Sequence, residues 1–143
     1  MKTFVLATTI ACALVSGEAM AACAEGAGWK KMNAAGSGGS LALGTLSGKT
    51  VCVGAPPTWQ AQEYHQAGGS LIDYKRGPVA PGNIDPTETI GSWSIVGDQI
   101  NYVYNSGGNY TYDVYEKSGA YSFCSGASSA AEATIKTGQS ACP

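Results

Sequence analysis

Three residues near the middle of the chain have the types and spacing for acid–base or metal chemistry: Glu63, His65 and Asp73. The stretch from Glu63 to Asp73 reads as two strands joined at Ala67-Gly68-Gly69. That loop sets Glu63 opposite Asp73 and His65 opposite Leu71, all on one face of a hairpin. Two carboxylates placed side by side repel. The repulsion raises the pKa of one and equips it as a general acid, or the pair binds a cation together with the imidazole. The other face carries Tyr64, Ile72 and Tyr74, which have the character of a core side, so the carboxylates are expected in solvent. A two-residue Gly68-Gly69 loop would break this pairing. The trio is therefore an alternative polar site, hydrolytic or metal-binding. No catalytic or metal-ligating residue is assigned: there is no Gly-x-Ser-x-Gly elbow, and no serine is singled out to partner His65.

A second constellation is aromatic. Trp93, Tyr102, Tyr104, Tyr110 and Tyr112 fall on one parity of three neighbouring strands. Cross-strand aromatic pairs of this kind build a core. Tyrosine, however, outnumbers Phe, Leu and Ile in the stripe, and each buried phenol needs a hydrogen-bond partner. At a wet barrel mouth the rings would stack on a ligand and the hydroxyls would orient it. These five residues are the ligand-binding candidates.

The elements that must position both sets are short β-type runs punctuated by turns. They are Thr50–Val53, Trp59–Gln66, Ser70–Arg76, Thr89–Val96, Gln99–Tyr104, Asn109–Glu116 and Ala120–Cys124. Ser129–Thr137 fits either a capped helix or a strand, and a strand is favoured because the preceding hairpins leave an edge in need of a partner. From residue 92 onward apolar and polar residues alternate strictly, the mark of an antiparallel sheet with one buried face. The expected fold is all-β: a meander of seven to eight strands rolled into a small barrel, with a sheet packed on a C-terminal helix as the alternative. Ser40 to Gly48 reads as one helical turn capped by Ser40 and ended by Gly48. Residues 22–48, rich in Gly, Ala and Ser, form a poorly ordered lead-in to a barrel domain over 49–143. Gly77–Thr87 is an irregular, proline-rich loop.

Composition narrows the functional classes. The chain has 143 residues, 8 Lys+Arg against 10 Asp+Glu, and a net charge of −2. It has no basic stripe for nucleic acid. After the first twenty residues no stretch is long and apolar enough to cross a bilayer. Gly44-Thr45-Leu46-Ser47-Gly48-Lys49-Thr50 has one residue too few between its glycines for a phosphate-binding loop, and it leads into a strand. Met1–Ala21 has the positive start, apolar run and Ala19-Met20-Ala21 exit of a signal peptide, which predicts a periplasmic or secreted protein. Removing it takes Cys12 away and leaves Cys23, Cys52, Cys124 and Cys142, an even set suited to two disulfides. Three connectivities are open. The nested one, Cys23–Cys142 with Cys52–Cys124, is favoured because domain termini often lie together. A lipoprotein anchored at Cys23 is the competing address, and it would strand one thiol.

The hairpin Glu63–Lys75, the strand Gly91-Ser92-Trp93-Ser94-Ile95 and the late Tyr121-Ser122-Phe123-Cys124 resemble small secreted proteobacterial proteins of unknown function. Leu46-Ser47-Gly48-Lys49-Thr50-Val51 is similar to their opening, and the likeness spans about residues 46–140. The resemblance implies a lipocalin-like barrel and an envelope or secreted location. It brings no activity, cofactor or site residue. The sequence thus points to a non-enzymatic binding module without a cofactor. Its partner would be a small molecule or an envelope or extracellular protein. The alternatives are a secreted inhibitor or interaction domain working through loops such as Pro78–Pro86, or a site at Glu63, His65 and Asp73.

Overall fold

The computed structural model describes residues 22–73 and 88–143. The expected signal peptide over 1–21, the end of the third expected strand, Tyr74, and the loop containing Pro78–Pro86 lie outside the described residues. A two-residue strand, β1 (Lys30–Lys31), precedes eight longer ones: β2 (Lys49–Ala55), β3 (Thr58–His65), β4 (Ser70–Asp73), β5 (Glu88–Val96), β6 (Gln99–Tyr104), β7 (Asn109–Lys117), β8 (Ala120–Ser125) and β9 (Ser128–Thr137). From β2 to β9 each strand pairs antiparallel with the next. The last then returns to the first, from Lys49↔Thr137 to Val53↔Ala133. The protein is an all-β, closed, eight-stranded antiparallel barrel, and residues 128–137 are the strand that closes it. Closure satisfies the backbone groups that β2 and β9 would otherwise expose.

Turn chemistry sets the hairpins. Ser118 and Gly119 both adopt positive φ (50° and 86°) between β7 and β8, the conformation a two-residue hairpin of this twist demands. Gly91 on β5 answers a different need. A Cβ there would overlap the carbonyl oxygen of Val103 on the neighbouring strand, so glycine alone lets the two backbones approach. Nearby the β4–β5 register shifts between Leu71 and Ile72.

β6 pairs with β7 only as far as Tyr112, and β1 takes its place beyond, with Lys30 opposite Glu116 and Lys31 opposite Tyr115. Lys31 Nζ lies 2.8 Å from Asp113 Oδ1. Apart from β1 and a 3-10 turn at Leu43–Leu46, residues 22–48 have little regular structure. They nevertheless cross one end of the barrel and bury Met32, Leu43 and Leu46 against Leu71, Ile100 and Val114. The Met32 N–H donates to Val114 O (2.7 Å) and the Leu43 N–H to Asn33 O (2.9 Å). The helical turn is shorter than the sequence suggests. Ala42 occupies its cap position without a side-chain bond, and Ser40 lies outside it.

The disulfides are Cys23–Cys124 and Cys52–Cys142. This corrects the nested pairing, and the barrel supplies the reason. Each terminal segment runs over the outer wall and is pinned to the strand beneath it, so the ends need not meet. The N-terminal segment is tied to β8. The C-terminal one is tied to β2, where the Cys142 N–H donates to Gln62 Oε1 on β3.

Candidate functional site

The period-two pleat turns alternate residues of each strand into the barrel. On β3 the inward set is Ala61, Glu63 and His65, and Glu63 stands opposite Asp73 and His65 opposite Leu71 as the hairpin spacing predicts. The face is reversed from expectation. His65 and Leu71 are fully buried inside, while Tyr64 and Ile72 lie on the outer, half-buried side. Part of that outer wall is itself covered. Gln62, on the same parity as Tyr64, is buried under the C-terminal segment.

The aromatic stripe faces the same interior. Trp93, Tyr102, Tyr104 and Tyr112 point inward and pack with the core, whereas Tyr110 is 48% exposed. Tyr110 stacks parallel to Tyr112 (centroids 6.4 Å apart) and meets Tyr104 edge-on at 5.9 Å. The two constellations seen in the sequence therefore converge on one interior.

Their hydrogen bonds assign the protons. His65 Nδ1 lies 3.2 Å from the backbone carbonyl of Glu63, and its Nε2 lies 2.7 Å from Tyr102 Oη. A carbonyl only accepts, so Nδ1 carries the proton and Nε2 accepts from the phenol. His65 is neutral and fully bonded. Burial lowers its pKa to about 4, only partly opposed by the Glu63 carbonyl. Trp93 packs edge-on against the imidazole at 5.1 Å and donates its indole N–H to Gln66 O (3.0 Å). Burial, reinforced by the charge of Glu63, holds the Tyr102 phenol well above its ordinary range. Tyr104 is raised for the same reasons in the same order. Its hydroxyl reaches both Glu63 carboxylate oxygens at 3.2 Å, a single proton shared between two acceptors.

Above Tyr102 the interior opens into a cavity of about 190 Å³. One half of its wall is aromatic: Tyr102, Tyr104, Tyr112 and Phe123. The facing half is small: Val51, Val53, Ala61 and Ala131, with Glu63 between the two. The space exists because the alanines stand where bulky residues would meet the rings. The aliphatic half escapes a reading of the sequence that follows large side chains. Its only signal is alanine on the inward parity of two strands.

Asp73 pairs with Glu63 through the backbone register but does not line this cavity. Among the described residues no three His, Cys, Asp or Glu side chains are grouped to hold a metal ion. Both nitrogens of His65 are engaged, so the imidazole serves as a strut under Tyr102. No family model, curated protein or solved structure matches the chain.

Proposed function

We propose that the protein is an exported binding module that takes a small molecule into the mouth of the barrel. The observation that carries this reading is the cavity. Among the described residues, Leu71, Ile100 and Val114 are fully buried at one end of the barrel, whereas Tyr102, Tyr104, Tyr112 and Glu63 line the cavity. Convergent polar groups within an otherwise apolar concavity are the usual form of a ligand site. At about 190 Å³ the space suits a ligand smaller than those held by pockets of roughly 300–1,000 Å³. Export is supported by the signal-like Met1–Ala21 and by two disulfides, which persist in oxidising compartments. No helix among the described residues is long and apolar enough to cross a membrane. The resemblance to small secreted proteobacterial proteins points to the same address.

The test is a fragment titration of the oxidised protein followed by amide and side-chain NMR, repeated on Ala61→Phe, which fills the space. Shifts clustering on Val51, Glu63, Tyr104 and Ala131, with affinity falling about tenfold or more in the variant, are expected. Fragments that leave those resonances unmoved, or that bind Ala61→Phe equally well, would overturn the reading.

A further inference from the structure

We infer that the cavity takes a single neutral aromatic ring with a small substituent, seated between a wall of tyrosines and a wall of aliphatic side chains. This deepens the binding-module reading and rests on it.

Size sets the first limit. An apolar cavity of roughly 150 Å³ holds one benzene ring. At about 190 Å³ this one has room for such a ring and a few further atoms. Topology then gives the space two unlike sides. Round the closed barrel β6 lies four strands from β2 in either direction, so the two face each other across the interior. β2 contributes Val51 and Val53, and β6 contributes Tyr102 and Tyr104. Ala61 and Ala131, on the two strands beside β2, keep the aliphatic side short and leave the gap.

The aromatic side offers ring faces and ring edges together. Tyr102 and Tyr104 lie 25° from parallel with centroids 6.3 Å apart, whereas Tyr112 meets Phe123 at 88°. Aromatic rings attract one another in offset-stacked and edge-on arrangements at centroid separations of roughly 4.5–7 Å, an attraction beyond the burial of area. A saturated ring of the same size lacks it. A flat ring in the gap therefore finds aromatic partners on one side and the methyl groups of β2 on the other.

Charge points the same way. Glu63 is not a spare counter-ion: its two carboxylate oxygens share the Tyr104 hydroxyl proton at 3.2 Å, and the carboxylate makes a further interaction besides. A cation would have to compete with those partners. No described residue of the wall is cationic, so an anion would lose its water with nothing to replace it. A neutral ring leaves the engaged carboxylate as it is. Burial keeps Tyr102 and Tyr104 protonated, so the aromatic side is itself uncharged.

Four probes of similar size decide the matter: 4-methylphenol, 4-methylcyclohexanol, benzylammonium and benzoate. Each is titrated into the oxidised protein and followed by NMR. The phenol should bind about fivefold or more tighter than each of the others, with shifts on Val51, Tyr104 and Ala131. Tyr112→Leu takes one ring from the wall at a half-buried position. It should cut the preference for the phenol over the saturated alcohol by about twofold or more. Equal binding of the saturated alcohol, or an unchanged preference in Tyr112→Leu, would overturn the aromatic class and leave the cavity reading standing. Equal or tighter binding of benzylammonium or benzoate would overturn neutrality in the same way. The inference also falls if none of the four moves the cavity resonances, and the fragment titration then decides the cavity reading separately. Should Tyr112→Leu fail to fold by near-ultraviolet circular dichroism, the four probes on the unaltered protein still decide between a neutral aromatic ring and the other classes.

Discussion

At the floor of the barrel, Leu71, Ile100 and Val114 meet Met32, Leu43 and Leu46 from the crossing segment and fill the interior. At the mouth β3, β6 and β7 turn Glu63, Tyr104 and Tyr112 toward a cavity. Between the two layers His65 and Tyr102 form a polar deck, a buried imidazole holding a buried phenol at 2.7 Å. The floor is a packing solution, where each side chain is fixed by volume. The mouth is a chemical one, where hydrogen bonds hold side chains around a space that packing would otherwise close. The division shows that one barrel can fill one end with apolar side chains and keep the other open and polar.

The sharpest break of that division is Ile100→Ala. It opens a hole in the filled layer and should cost about 2–5 kcal/mol, measured by urea unfolding. A loss well below this range would mean that the floor is not where stability resides. The deck should show itself through pH. The folded His65 takes a proton only near pH 4, against 6.5 when unfolded. Between those values the unfolded chain binds the extra proton. Its contribution is therefore whole above pH 6.5 and is lost as pH falls toward 4, by roughly 3 kcal/mol. His65→Gln should flatten that part of the stability–pH curve, and an unchanged slope would assign the acid sensitivity to carboxylates instead. The smallest effect belongs to the mouth. Tyr104→Phe removes one charge-assisted hydrogen bond at a half-solvated carboxylate and should cost about 1 kcal/mol. A cost equal to that of Ile100→Ala would make the mouth part of the structural core and remove the contrast.

The same contrast explains what could be read in the sequence. From Trp93 to Phe123 the wall is regular, and alternation alone reveals its strands and inward residues. The Glu63–Asp73 and His65–Leu71 register is equally legible, because turn length fixes it. Which face of that hairpin points inward is not legible. The rule that carboxylates face water fails at Glu63, which lines the interior, and Tyr64 and Ile72 have the residue types of a core side while lying half-buried on the outer wall. Met32, Leu43 and Leu46 follow no period, so nothing local marks them as the floor. The bridge pattern depends on which strands the two ends cross, a property of the closed barrel and not of spacing along the chain.

Closure has a kinetic side. The seam between β2 and β9 joins Lys49 to Thr137, partners 88 residues apart. Every hairpin of the meander can form before that seam, and the loop entropy it must overcome is the largest in the barrel. Until it zips, two long strand edges face solvent in a chain still folding. The Cys52–Cys142 bridge ties the tail beyond β9 across that seam onto β2. Oxidation thereby acts as a latch: it ties the tail to β2 across the pairing that closes the barrel.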